Sequence, residues 1–86
     1  MALNGAQEAL IDRILEKARS GHLNKAFVSG AVEATMPNAN TVRLRVGGNN
    51  PRGLVNDWVS TCAAKAGSAR QRPSPNMAYV VIDMTI

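Results

Sequence analysis

The sequence predicts an α+β fold: a two-layer sandwich in the order α-β-β-α-β, with a three-stranded sheet and two helices on one face. Three observations carry this expectation. Two segments repeat apolar residues at helical spacing, others alternate them at strand spacing, and stretches rich in Gly, Pro and Asn separate the two kinds. Eighty-six residues make one small α+β domain, residues 1–86, with little core to spare.

The first helix covers about residues 5–20. Asn4 is its expected N-cap, with Gln7 three residues on as in a capping box. Leu10, Ile11, Ile14, Leu15 and Ala18 then fall on one face, while Glu8, Asp12, Arg13, Glu16 and Lys17 cover the others. Gly21 supplies the stop. Ala26–Thr35 fits strand and helix spacing alike. It is read as a strand with Gly30 inside, because the next segment needs a partner, and Ala26, Val28, Gly30, Val32 and Ala34 would share a face. Met36-Pro37-Asn38-Ala39-Asn40 reads as a turn. Thr41–Val46 follows as a strand whose Val42, Leu44 and Val46 alternate with Arg43 and Arg45.

Gly47-Gly48-Asn49-Asn50 interrupts that strand. Asn50 is the expected cap of a second helix with Pro51 at its first position, and Leu54, Val55, Trp58, Val59, Cys62 and Ala63 form its apolar face until Gly67. Ser68–Asn76 carries no apolar periodicity and reads as an exposed loop. Met77–Ile86 is the last strand, with Ala78, Val80, Ile82, Met84 and Ile86 on one side and Tyr79, Val81, Asp83 and Thr85 on the other. If the last two strands are parallel neighbours, the second helix makes a right-handed crossover between them.

Composition bounds the function. No apolar run approaches the ~20 residues of a membrane span, and no basic-then-apolar leader opens the chain. The single Cys62 rules out an internal disulfide. A soluble protein of the reducing cytoplasm is the expectation. The three aromatic residues (Phe27, Trp58, Tyr79) leave a core of small aliphatics, which a homo-oligomer would help to stabilise.

The net charge of +4 is unevenly spread. Residues 41–72 hold Arg43, Arg45, Arg52, Lys65, Arg70 and Arg72 against Asp57 alone, a net of +5. Arginine forks suit phosphate and carboxylate groups. Arg43 and Arg45 are expected on the sheet face opposite the core, with Arg70 and Arg72 on a loop reaching over it. The segment Gly47 to Gly53, with Gly48, Asn49 and Arg52, runs from a strand into a helix start, where glycines and free N–H groups admit an anion. It matches neither a Walker nor a dinucleotide pattern, and Asn-Pro is also a plain way to start a helix.

Catalysis has little to stand on. His22 and Cys62 are the only members of their types, and no His, Cys, Asp or Glu cluster has metal-ligand spacing. The expected role is therefore that of a non-enzymatic binding protein without cofactors, contacting nucleic-acid backbone through Arg43, Arg45, Gly48, Asn49, Arg52, Arg70 and Arg72. With Tyr79 as the one aromatic on that side, base stacking would be thin. The alternative is a small protein–protein module: a phage- or plasmid-type adaptor or inhibitor, or the subunit of a homo-oligomer.

Overall fold

A computed structural model of the chain describes residues 3–23, 25–48, 51–74, 76 and 78–86 (of Pro51, the backbone alone). The first element, α1 (Gly5–Arg19), begins at the expected cap. The Gln7 N–H donates to Asn4 Oδ1 at 2.8 Å and the Asn4 N–H donates to Gln7 Oε1 at 2.9 Å, so the box is closed in both directions. At the other end the His22 N–H reaches Lys17 O and the Gly21 N–H reaches Ala18 O. That pairing needs a left-handed residue, which Gly21 supplies at φ 78.

The segment expected as one strand is two. β1 (Phe27–Ser29) and β2 (Val32–Asn38) form a hairpin around Gly30-Ala31. Gly30 has φ 58, the left-handed conformation that two-residue hairpin turns require at their first central position. The turn changes which residues share a face. Phe27 and Ser29 pair with the core-facing Ala34 and Val32, so Val28 turns to the other side and is 62% exposed.

β2 also runs further than expected. Met36 and Pro37 are not turn residues but a bulge, both opposing Val42 between the pairs Thr35–Arg43 and Asn38–Thr41. Proline, lacking an N–H, is tolerated at such a bulge. The turn proper is Ala39-Asn40, where the Asn40 N–H donates to the Asn38 side chain at 2.9 Å.

β3 (Thr41–Val46) has the bounds its alternation predicts, with Val42, Leu44 and Val46 buried. Past it, Asn49 and Asn50, the latter the expected helix cap, lie outside the described residues. Pro51–Leu54 forms a 3-10 turn that leads into α2 (Val55–Ala66), and Gly67 closes α2 at φ 107.

Two more strands complete the sheet. β4 (Ser68–Arg72) occupies half of the segment expected as a loop, and β5 (Val80–Thr85) is the expected last strand cut short, with Ala78 in an exposed turn before it instead of on its apolar face. β4 escapes an apolar-pattern reading because it is an edge strand: it pairs on one side only, and Ser68, Arg70 and Gln71 remain exposed. Its charges also guard that open edge against pairing with another chain. The sheet is thus five-stranded, in the order β1-β2-β3-β5-β4, and every neighbouring pair is antiparallel. β3 and β5 are not parallel neighbours. The next strand in the chain, β4, runs parallel to β3 but lies beyond β5, so α2 crosses over β5 to connect them.

Both helices bury their apolar faces on one side of this sheet. Ile11, Ile14, Leu15 and Ala18 from α1 and Trp58 and Cys62 from α2 form one cluster with Val42, Leu44, Val46, Val80, Ile82 and Met84. Lys65 joins the helices by an ion pair with Asp12 at 2.9 Å. The α+β class and the one-sided helical layer hold. Among the described residues the opposite face of the sheet carries no helix.

Candidate functional site

Antiparallel register turns that uncovered face into rows of side chains. One row crosses four strands as Thr35, Arg43, Asp83 and Arg70. The next, two residues along and so about 6.8 Å away, is Glu33, Arg45, Val81 and Arg72. On the other side of the first row lies a row of hydroxyls, Thr41, Thr85 and Ser68. Arg43, Arg45, Arg70 and Arg72 are therefore gathered on one surface, as the alternation of β3 implies. Arg70 and Arg72 reach it from a strand, where a loop is expected from the sequence.

Two carboxylates enter the same surface and change its electrostatics. Asp83, 8% exposed, receives Arg43 as a fork: Nε donates to Oδ1 at 3.0 Å and Nη2 to Oδ2 at 3.3 Å. Arg72 Nη1 donates to the same Oδ2 at 3.4 Å. The Asp83 hydrogen bonds hold the Arg43 guanidinium above its ordinary pKa. Arg45 pairs with Glu33 at 3.5 Å and lies over the Tyr79 ring at 4.6 Å from its centroid. Arg70 makes no carboxylate contact among the described residues. Four guanidiniums and two carboxylates leave this face at a net +2, well under the +5 of residues 41–72.

Asp83 and Glu33 sit outside that basic stretch, which is why a charge count along the chain misses them. Strand parity does put Asp83 on the non-core side of β5, and Tyr79, just before that strand, follows the same alternation. What parity lacks is the register that sets Asp83 directly between Arg43 and Arg70.

Two open depressions result. One, of about 270 Å³, is lined by Glu33, Thr35, Arg43, Arg45, Tyr79 and Val81. The other, of about 230 Å³, is lined by Thr41, Ser68, Arg70, Asp83 and Thr85.

The remaining expected site residues divide. Gly48 has φ 90, and a side chain there would meet the Ala31 methyl at 3.3 Å. Next to it the Gly47 N–H donates to Ala31 O at 2.8 Å, so this loop is tied to the β1–β2 turn. Arg52 is half-buried and donates to Asn76 O at 3.4 Å, which engages it with the connection between β4 and β5. Asn49 lies outside the described residues. Lys65 is on the helical layer, paired with Asp12, and does not join the arginines.

Cys62 is fully buried and burial pushes its thiol up to about 12. At neutral pH it is a small apolar group, not a thiolate. His22 is exposed at the end of α1, its Nδ1 3.3 Å from Ser20 Oγ. The raised thiol value has a consequence for stability. Below pH 9.0, the ordinary thiol value, the proton is held in both folded and unfolded states; as pH climbs toward 12 the unfolded chain loses it first, so stability falls. The Cys62→Ala variant is expected to lose less Tm than the parent between about pH 8 and pH 11. Equal losses would mean that the thiol ionises freely in the folded state.

Among the described residues no three His, Cys, Asp or Glu side chains gather as a metal site, and no helix is long and apolar enough to cross a membrane. Comparison with protein-family models, curated proteins and solved structures returns no match.

Proposed function

We propose that the protein is a non-enzymatic binding protein that contacts nucleic-acid backbone through the uncovered face of its sheet. The observation that carries this reading is the gathering of Arg43, Arg45, Arg70 and Arg72 in two adjacent rows on a face without helices. Guanidinium forks two strands apart, beside the hydroxyls of Thr41, Ser68 and Thr85, are suited to phosphate oxygens. Gly48 and Arg52 support the site from the loop that leaves β3, holding connections in place. A buried lone cysteine fits a reducing cytoplasm.

Arg70 is the most informative position, since it is exposed on an edge strand and free of carboxylate contacts among the described residues. Arg70→Ala is expected to leave folding unchanged, weaken binding to a mixed-sequence oligonucleotide at low salt, and reduce the slope of log K against log[salt] by about 1. Fluorescence anisotropy across a salt series measures both quantities. An unchanged affinity and slope would remove Arg70 from the surface.

A protein partner, or a second copy of the chain, is the second reading, and Val28 favours it. This is the one large hydrophobic exposed among the described residues, and it lies on the short edge strand β1. A discrete oligomer by light scattering, insensitive to salt and dissociated by Val28→Glu, is the expected result on that reading.

A further inference from the structure

The stacked pair of Arg45 and Tyr79 bears on which kind of nucleic acid the face takes. The guanidinium lies over the ring at 4.6 Å, held from the side by Glu33 at 3.5 Å, and the Arg45 side chain is still 52% exposed. A guanidinium pinned in this way presents a second flat surface to solvent. Flat cationic surfaces of this kind stack on nucleobases, provided that the bases are not already stacked in a duplex.

The depression beside this pair has a suitable lining. Its six residues combine a flat stack (Arg45, Tyr79), the apolar Val81, the Arg43 guanidinium already engaged by Asp83, and two groups that hydrogen-bond base edges, the Glu33 carboxylate and the Thr35 hydroxyl. At about 270 Å³ it is on the scale of a single ring system, below that of a whole drug-sized ligand. The Glu33 carboxylate, with acceptor sites beyond its pair with Arg45, accepts from exocyclic amines. The neighbouring depression sets Arg70, which has no carboxylate contact among the described residues, beside the hydroxyls of Thr41, Ser68 and Thr85; its own carboxylate, Asp83, already accepts from Arg43 and Arg72, which leaves Arg70 for a phosphate.

Charge arithmetic points the same way. The face nets only +2, and three of its four arginines already hold carboxylates. A ligand offering phosphates alone must compete with Asp83 and Glu33 for them. A ligand offering bases as well adds stacking, which those pairs do not oppose.

We infer that the face selects single-stranded nucleic acid, with a base on the Arg45–Tyr79 stack and the adjoining phosphate near Arg70. This inference rests on the backbone-binding reading and adds the strand class to it.

The test compares three fluorescein-labelled probes about 12 nucleotides long at low salt: a mixed-sequence single strand, the duplex of the same sequence, and an abasic strand with the same phosphates. The single strand is expected to bind roughly five- to a hundredfold more tightly than the abasic strand, and more tightly than the duplex. Tyr79→Ala is expected to erase that advantage, and Tyr79→Phe to retain most of it. Duplex binding at least as tight as single-strand binding, or equal affinity for the abasic strand, would overturn the inference and leave backbone binding standing. Failure of all three probes to bind would remove the backbone reading itself, and the inference with it.

Discussion

Replacing Leu44 by alanine is expected to cost about 2–5 kcal/mol of stability, a large share of what a domain of this size holds. Leu44 is fully buried on β3, paired with Ala34 on one side and Ile82 on the other. It lies in the single cluster that joins the sheet to both helices. The cavity cannot close by a local shift, because the flanking strands are fixed by their own ladders. Urea denaturation measures the loss. Val28→Ala, at an exposed position on β1, is the matched control and is expected to change stability by less than about 0.5 kcal/mol. Similar midpoints for Leu44→Ala and the parent would mean that the core is not arranged around β3.

Replacing Asp83 is expected to move stability and affinity in opposite directions. The carboxylate is 8% exposed and accepts from both Arg43 and Arg72. Asp83→Ala deletes those charge-assisted bonds and is expected to destabilise the fold by about 1–3 kcal/mol. The same change frees two guanidiniums and raises the net charge of the face by one. Affinity for a single-stranded oligonucleotide at low salt is expected to rise, and the salt slope to steepen by about 0.7. Asp83→Asn keeps the shape, separating lost charge from lost packing. Weaker binding by Asp83→Asn would show instead that the carboxylate is needed to aim the arginine forks.

The contrast between Arg43 and Arg70 shows how far the sequence can be read. Arg43 is legible because β3 alternates cleanly, Val42, Leu44 and Val46 against Arg43 and Arg45, and such alternation states both the strand and its faces. The strand that carries Arg70 is not, because β4 lies at a sheet edge with only Ala69 packed against the core, too little to write a pattern. The hairpin at Gly30 is hidden for a related reason. A glycine inside an apolar run looks the same in one strand as in a turn, and only its φ of 58 decides. Pro37 reads as a turn residue although it sits in a bulge, since proline suits both. Candidate residues near one another in sequence could thus be named, but their counter-charges could not. Glu33 and Asp83 meet the arginines through register, a long-range property that one strand does not carry, whereas Tyr79 is placed on that side by alternation alone.

The central claim, that the uncovered sheet face is the binding surface, is tested most directly by an NMR titration of the labelled protein with a single-stranded oligonucleotide. Backbone amides of β3, β4 and β5 and the Nε–H signals of Arg43, Arg45, Arg70 and Arg72 are expected to shift, with α1 and α2 unmoved. Shifts confined to the helical layer, or no shifts at low salt, would contradict the account.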